Sequence, residues 1–363
     1  MLARTRILRT TMTEARTDPD LLYVGTYTEN IYLVRMDRRS GELLQVGAVK
    51  AGANPSFLSI HPKGRVLYAV NELDQAGAVS AFAIESGTGA LTRLNEQPSG
   101  GGAPCYVSVD RSGRVALVAN YGGGSVALLP LEPNGALAPA HVIQHTGKGP
   151  NPERQEAPHA HCIIPDPSNR FALAADLGAD RVFVYRLDLA GTSLRHIEEG
   201  DASMRPGAGP RHLAFHPTLP LVFVANELDS TVATLRFDST RGALSLQGTL
   251  STLPAGWTGT NYPADIHVAA NGRTLYVSNR GHNSIALFSV ADSTGALALQ
   301  QVISTEGDWP RNFSLDPTGR WLLVANQRSG SVVVFARDPD SGKLTATPQR
   351  LALPSPVCLR FLL

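Results

Sequence analysis

The chain has 363 residues, which is long enough for one large all-β domain or for about two or three ordinary domains. Its 32 Lys and Arg residues nearly balance its 31 Asp and Glu residues, so the formal net charge is only +1. The basic field that nucleic acid or an anionic membrane surface requires is therefore missing, and we expect neither as a partner.

The start of the chain and the cysteines indicate where the protein resides. Residues 1–20 carry four arginines but no apolar stretch of the ~7–15 residues that a secretory signal needs, so we expect a disordered tail before a single domain, residues 21–363. No later run approaches the ~18 apolar residues of a membrane helix. Cys105, Cys162 and Cys358 lie far apart without a CxxC pair, which predicts a reducing, cytoplasmic environment and no cysteine zinc site.

An internal repeat is the most informative feature of the sequence. Five segments place an asparagine at one constant distance after a proline, in similar surroundings such as NPSFLSIHPKGRVLYAVNE and GPRHLAFHPTLPLVFVANE. The five pairs are Pro55 and Asn71, Pro104 and Asn120, Pro210 and Asn226, Pro263 and Asn279, and Pro310 and Asn326. So constant a spacing indicates one structural unit repeated along the chain.

Each repeat has the pattern of four strands. Apolar residues alternate, as at Leu213 and Phe215, before a turn and a second apolar run, which predicts an antiparallel hairpin. Two further strands follow, such as SIALFSV from Ser284 and the segment after a Gly-Ala-Leu turn. Four strands with a period of about 46 to 54 residues are typical of β-propeller blades, and the two-residue alternation excludes a helical solenoid.

A sixth unit departs from this spacing. It has Asp176 at the asparagine position, and the interval back to its proline, Pro158, is two residues longer than in the other units. Counting the common interval back from Asp176 places Ala160 at the proline position, so His161 follows directly after it. His159 then lies on the incoming loop.

The two ends of the chain supply the seventh blade. The C-terminal SPVCLRFL, from Ser355, resembles only the first strand of a repeat, whereas residues 21–46 resemble only the later strands. We expect residues 355–362 to form the innermost strand beside the strand that contains Tyr23, because this pairing closes the ring and leaves no exposed edge. The predicted fold is all-β: a seven-bladed β-propeller of four-stranded antiparallel blades, closed by the C-terminal strand joining N-terminal strands.

This alignment predicts which residues surround one mouth of the central channel. In an antiparallel hairpin the start of the first strand and the end of the second lie at the same end, so residues just after each proline and each asparagine share one rim. They are Ser56, Cys105, His161, Arg211, Ala264, Arg311, Glu72, Tyr121, Leu177, Glu227, Arg280 and Gln327, with Tyr27 from the composite blade. The asparagines themselves are expected mainly to cap strand ends by hydrogen bonding.

The charged members of this rim come from adjacent blades. They are His159 and His161 from the third blade, Arg211 and Glu227 from the fourth, Arg280 from the fifth and Arg311 from the sixth. Guanidinium groups bind carboxylate or phosphate, and His and Glu transfer protons near neutral pH. The sequence therefore predicts a small anionic ligand and acid–base chemistry at this mouth.

Several motifs together resemble the propeller lactonase family, which includes bacterial 6-phosphogluconolactonases and fungal 3-carboxy-cis,cis-muconate lactonising enzymes. They are GTYT, ANPSFLSIHP, LYAVNE, VANYGGGSV, the HAH segment, GPRHLAFHP, VANEL and LYVSNRGHNSI, within residues 21–363. The resemblance implies interconversion of a lactone with an open-chain acid. Its catalytic set maps onto His161 or His159, Arg211, Glu227 and Arg280. Substrate-binding roles are expected for Arg311, Glu72, Tyr27 and Asn120.

Within this family the sequence favours hydrolysis of a sugar lactone, such as 6-phosphogluconolactone in the pentose phosphate pathway, by water attack. A carboxymuconate lactonising cycloisomerase and a non-catalytic interaction scaffold are the alternatives. Glu227 is either a base or a counter-ion of the arginines, and a thiol mechanism through Cys105 or Cys162 is conceivable. His159 and His161 could share a metal, but no third ligand has recognisable spacing, so we expect no metal and no cofactor. The oligomeric state is left open.

Overall fold

In the computed structural model, which describes residues 20–363, seven antiparallel sheets surround a central axis. Each sheet is one blade, and in blades 1 to 6 the first strand in the sequence lies innermost. Blade 7 begins with β1 (Asp20–Thr26), β2 (Asn30–Met36) and β3 (Leu43–Lys50). Blade 1 contains β4 (Leu58–Ile60), β5 (Val66–Asn71), β6 (Ala78–Ile84) and β7 (Leu91–Pro98). Blade 2 contains β8 (Pro104–Val109), β9 (Val115–Asn120), β10 (Ser125–Pro130) and β11 (His141–Gln144).

In blade 3 the outer edge is divided between two short strands. This blade contains β12 (Ala160–Pro165), β13 (Phe171–Asp176), β14 (Arg181–Asp188), β15 (Ser193–His196) and, after the 3₁₀ turn Glu198–Gly200, β16 (Ala202–Ser203). Both β15 and β16 pair with β14.

Blades 4 to 6 are regular and four-stranded. Blade 4 contains β17 (Pro210–Phe215), β18 (Leu221–Asn226), β19 (Thr231–Asp238) and β20 (Ala243–Ser251). Blade 5 contains β21 (Tyr262–Val268), β22 (Thr274–Arg280), β23 (Ser284–Val290) and β24 (Leu297–Ser304). Blade 6 contains β25 (Pro310–Leu315), β26 (Trp321–Asn326), β27 (Ser331–Arg337) and β28 (Leu344–Ala352).

The C-terminal strand closes the ring. Strand β29 (Pro356–Leu362) pairs antiparallel with β1, with Tyr23 opposite Arg360, and it contacts the innermost strands of blades 6 and 1. The predicted propeller and its composite seventh blade are therefore confirmed. Of the segment expected to be a tail, Asp20 is the first residue of β1, where its carboxylate accepts a hydrogen bond from Arg38 Nε at 2.9 Å. The rest of that segment lies outside the described residues.

The core lies between the faces of neighbouring blades. The second strands of blades 1 to 6, such as β18 (LVFVAN), are buried along their whole length, because each is covered by a neighbouring blade on both faces. They therefore read as continuous apolar runs instead of alternating ones. Tyrosines on these strands also join blades: the Tyr276 hydroxyl donates to Gly342 O at 2.7 Å, from blade 5 to blade 6. This packing makes a rigid frame for the axial residues.

Candidate active site

A β-bulge at the start of an inner strand sets four of the candidate side chains at the mouth. In blade 4, Pro210 pairs with Asn226 and His212 with Ala225, so Arg211 is an extra residue without a partner. The same shift places Cys105, His161 and Arg311 in blades 2, 3 and 6, and blades 5 and 7 also have a shift at this point of the inner strand. A bulge redirects the extra side chain out of the strand alternation. The predicted pairing of Ala160 with Asp176 is present, and it places His161 at the same position as Arg211.

In five of the seven blades, a residue just before the inner strand has a left-handed backbone that brings the two rim positions together. Positive φ values are found at Asn54 (49°), Ala103 (46°), Gly209 (64°), Trp309 (66°) and Ser355 (46°). At Gly209 the carbonyl accepts a hydrogen bond from the Glu227 N–H at 2.7 Å, and Ala103 O likewise accepts from Tyr121 N–H at 2.9 Å. Such strained backbone is concentrated at functional sites. Here it ties the residue after the asparagine to the entry of the inner strand.

Asn120 lies below this rim. Its side chain is fully buried and its Nδ2 donates to Ser99 O at 3.2 Å and to Ser125 Oγ at 3.1 Å. The structure therefore places Asn120 as a strand-end cap and does not bring it to the charged cluster, unlike the other residues expected to bind substrate.

Glu227 is the centre of the charged cluster. Its Oε2 lies 2.6 Å from Arg280 Nη2 and 2.9 Å from Arg211 Nε, and its Oε1 accepts a hydrogen bond from Arg154 Nη2 at 2.6 Å. Burial by itself would raise the pKa of Glu227, but the charges of Arg280, Arg211 and Arg154 outweigh it and hold the pKa of this carboxyl well below its usual range. Glu227 is thus a carboxylate clamped by three guanidinium groups.

Arg154 belongs to the cluster although the repeat alignment did not predict it. It lies in the loop between β11 and β12, outside the repeated strands, so no proline or asparagine marks its position. The one signal in the sequence is its place in RQEAPHAH, just ahead of His159.

A series of hydrogen-bonded groups holds the Arg211 guanidinium. Its Nη1 donates to Ala264 O at 2.6 Å and lies 3.2 Å from His212 Nε2, while His212 Nδ1 lies 2.9 Å from Asp265 Oδ1. Burial lowers the pKa of His212 to about 3, and the nearby Arg211 charge acts in the same direction, so this imidazole is neutral and can accept from Arg211. Arg211 Nε lies 2.9 Å from Glu227 Oε2, but its N–H is not aligned with that oxygen or with another acceptor among the described residues.

The two candidate histidines have different surroundings. Both ring nitrogens of His159 are occupied: Nδ1 lies 2.9 Å from Tyr121 O, and Nε2 lies 3.1 Å from Glu156 Oε1. His161 is buried, and within residues 20–363 its ring has one hydrogen-bonding neighbour, Cys105 Sγ at 3.5 Å from Nδ1. Burial and the charge of Arg211 lower the pKa of His161 well below its ordinary value. His161 is therefore a neutral imidazole, like His212.

Cys105 lies beside His161 but is not activated. Burial raises the pKa of its thiol well above the ordinary value, so the thiolate that a nucleophile requires is disfavoured.

Glu72, Tyr27 and Arg311 form a second part of the cluster on the other side of the mouth. The Tyr27 hydroxyl donates to Glu72 Oε1 at 2.9 Å, and burial raises the pKa of Tyr27, so it stays a donor. Ser56 Oγ also donates to Glu72. Arg311 lies over the Tyr27 ring at 5.1 Å, with its Nη2 3.9 Å from Glu72 Oε1.

Arg211, Arg311 and Glu72 of this cluster line a small cavity. The cavity measures about 10 Å³, room for about one water molecule, and is lined by Ser56, Phe57, Glu72, Cys105, Arg211, His212, Arg311 and Val357. Four guanidinium groups face two carboxylates in the cluster, which leaves two uncompensated positive charges. Deeper in the channel, Asp265 and Arg360 offset each other. The site is built to receive an anion.

Two further properties of residues 20–363 bear on function. No group of three or more His, Cys, Asp or Glu side chains in this part of the chain is arranged to hold a metal ion. Nor does any helix there have the length and apolar character needed to cross a bilayer.

Comparison with known proteins agrees with this architecture. The family model described as "Lactonase, 7-bladed beta-propeller" matches residues 21–361. The 6-phosphogluconolactonase of Bacillus subtilis is 39% identical over 345 residues, covering 94% of this chain and 97% of the relative. That of Formosa agariphila is 33% identical, with 92% and 96% covered. The solved structure of a periplasmic gluconolactonase from Pseudomonas aeruginosa is 35% identical, with a TM-score of 0.90, and 95% of this chain and 99% of that chain are covered.

Proposed function

The chain belongs to the seven-bladed β-propeller lactonase family and is a lactonase, and from this we propose that it hydrolyses 6-phosphogluconolactone to 6-phosphogluconate, a step of the pentose phosphate pathway. The observation that carries the choice of substrate is the charge of the cluster. Four guanidinium groups against two carboxylates leave an excess of two positive charges. A phosphate monoester carries about −1.5 to −2 charges at neutral pH, which matches this excess.

The arginines bind the anion and polarise the lactone in this proposal. Arg211 is fixed between Ala264 O at 2.6 Å and Glu227, and Arg280 between Tyr262 O at 3.2 Å and Glu227. Burial lowers the pKa of Arg280 to about 9, so its guanidinium is still charged at neutral pH. One guanidinium group binds the phosphate, and a neighbouring guanidinium group stabilises the oxyanion that forms when water attacks the lactone carbonyl.

His161 is the base that takes a proton from water. The Cys105 thiol can direct its hydrogen to a backbone carbonyl, such as His161 O at 3.6 Å, so that His161 Nδ1–H points at Sγ and Nε2 keeps its lone pair. Glu227 is a poor base because both of its carboxylate oxygens are already engaged by guanidinium groups. His159 is a poor one because both of its nitrogens are engaged.

The reaction then needs no covalent intermediate. Water adds to the lactone carbonyl as its proton passes to His161, and the oxyanion is held by an arginine. Collapse breaks the bond between the carbonyl carbon and the ring oxygen. That oxygen takes the proton back from His161, and the acid product ionises.

A non-catalytic scaffold would not need this cluster. Arg211, Arg280 and Glu227 have side chains only 2–5% exposed and paired with one another, unlike scattered surface charges available to a protein partner. We also propose a cytoplasmic location, which the three buried free thiols support because disulfides are rare in a reducing compartment.

A substrate comparison tests the proposal. Chelator-treated protein is offered 6-phosphogluconolactone, unphosphorylated gluconolactone and 3-carboxy-cis,cis-muconate, with the rate of spontaneous lactone hydrolysis subtracted. We expect kcat/KM to be highest for the phosphorylated lactone. Preferred turnover of the muconate would replace the proposal with cycloisomerisation, and turnover of none of the three would reject both activities.

A further inference from the structure

Arg154 differs from the other arginines of the cluster in how it is held. Arg211 and Arg280 belong to strands β17 and β22, and each also donates to a backbone carbonyl. Arg154 comes from the loop between β11 and β12, and its guanidinium makes only side-chain contacts among the described residues. Its side chain is 33% exposed, against 2% for Arg211 and 5% for Arg280.

The base of the loop is nevertheless well ordered by hydrogen bonds. The Arg154 N–H donates to Asn151 Oδ1 at 3.2 Å, and Gln155, which is fully buried, donates from Nε2 to Leu177 O at 2.8 Å. The backbone of Arg154 is thus anchored beside blade 3, while its long side chain extends over the mouth and is held there by side-chain contacts alone.

This side chain crosses the mouth from one group of blades to another. Its Nη2 contacts Glu227 Oε1 of blade 4 at 2.6 Å and Tyr121 of blade 2, whose hydroxyl lies 3.4 Å away. Its guanidinium carbon also lies 5.9 Å from the centre of the Tyr262 ring of blade 5. Arg154 therefore covers the pair formed by Arg280 and Glu227 on the solvent side.

Arg154 lies over the pair formed by Arg280 and Glu227, whose side chains are each 5% exposed. The nearby cavity, which Arg211 and Arg311 line and Arg154 does not, has room for about one water molecule, far less than a hexose lactone needs, so a side chain of the cluster must move before such a ligand can bind. Arg211 and Arg280 are fixed by strand backbone and burial, so the group that can swing away at the least cost is the partly exposed Arg154. A phosphate accepts the same paired N–H groups as a carboxylate, so it can replace Glu227 as the partner of Arg154.

We propose that Arg154 is a mobile substrate-binding residue that leaves Glu227 when substrate enters and then binds the substrate's phosphate group. This inference rests on the proposed function. It makes Arg154 the residue that selects phosphorylated over unphosphorylated lactones, because only a phosphorylated ligand repays the lost contact with Glu227.

The test compares Arg154→Met with Lys148→Met. Lys148 is an exposed cation of the same loop, so its replacement removes the same charge without touching the cluster. Two properties are measured for each variant: the affinity for inorganic phosphate and for 6-phosphogluconate by calorimetry, and kcat/KM for the phosphorylated and unphosphorylated lactones. Thermal melts confirm that both variants are folded.

For Arg154→Met we expect the affinity for both phosphate probes to fall about 10- to 100-fold, the range of a charge-assisted hydrogen bond. The kcat/KM for the unphosphorylated lactone should stay within about threefold of the wild type or rise, because the mouth is open. Lys148→Met should change neither property by more than about twofold. Arg154→Lys should recover part of the phosphate affinity, since it restores the charge but not the planar fork.

Two results would overturn the inference: unchanged phosphate affinity in Arg154→Met, or an equal fall of kcat/KM for both lactones. Failure of the proposed function looks different. A wild-type protein that turns over neither lactone but binds phosphate through Arg154 would reject the substrate and still support Arg154 as an anion ligand.

Discussion

Replacing Glu227 with glutamine separates the role of a counter-ion from that of a general base. The change keeps the shape of the side chain but leaves Arg211 and Arg280, 2% and 5% exposed, without their carboxylate. Removing one partner of a buried ion pair costs about 3–5 kcal/mol. The unfolding entropy is about 2.1 cal/mol/K per residue, which gives about 0.7 kcal/mol/K for residues 20–363. Dividing the lost free energy by this entropy predicts that Tm falls by about 4–7 °C.

The assay runs thermal melts beside steady-state kinetics in a phosphate-free buffer. Because Glu227 is not the base in this mechanism, kcat should stay within about tenfold of the wild type, and added inorganic phosphate should restore part of the lost Tm. Glu72→Gln is the matched control: it occupies the equivalent position in blade 1, but its nearest guanidinium is 3.9 Å away and its side chain is 17% exposed, so Tm should fall by less than about 2 °C. A kcat lowered about a hundredfold with an unchanged Tm would refute this reasoning and make Glu227 the base.

Three further predictions address the arginine fork, the ring closure and the buried histidines. Arg280→Lys should raise KM and lower kcat together in steady-state kinetics, because one ammonium cannot reproduce the Nε and Nη2 contacts; an unchanged KM would speak against a substrate contact. Deleting residues 355–363 should abolish cooperative unfolding in urea, since it removes β29 and exposes the edge of β1, whereas a melt like that of the parent would argue against ring closure. Burial keeps His161 and His212 neutral even at pH values below the ordinary pKa of histidine. At such pH values the unfolded chain therefore takes up protons that the folded chain does not. The unfolding free energy should therefore be highest above about pH 6.5 and fall by up to about 1.4 kcal/mol per pH unit for each histidine as pH drops from 6.5 to 5; a flat profile of urea midpoints would contradict this.

The fold could be predicted because the repeat records a pairing. In blades 2, 4, 5 and 6 the proline pairs with the asparagine of its own repeat, as Pro210 does with Asn226, so a constant spacing in sequence is a constant hairpin in space. The same count found the correct partner for Asp176 despite two extra residues. The β-bulges that orient the rim residues could not be predicted from the spacing. Repeats that share the proline-to-asparagine interval also share the bulge, so the extra residue does not change the interval.

Of the candidate site, the sequence could predict only the residues that occupy repeat positions. His161, Arg211 and Glu227 follow repeat positions and do lie together, but Arg154 comes from a loop with no counterpart in other blades. The choice between His159 and His161 also depended on contacts that spacing cannot supply, such as the Tyr121 carbonyl beside His159 Nδ1.

The most direct test of the account is the kcat of His161→Gln for 6-phosphogluconolactone, measured beside the wild type. Glutamine keeps a polar side chain at this position but cannot take a proton from water. We predict that kcat falls about a hundredfold or more while the affinity for 6-phosphogluconate stays within about threefold, since the arginines are unchanged. A variant that retains the wild-type kcat would contradict the account, because the proton transfer would then occur elsewhere.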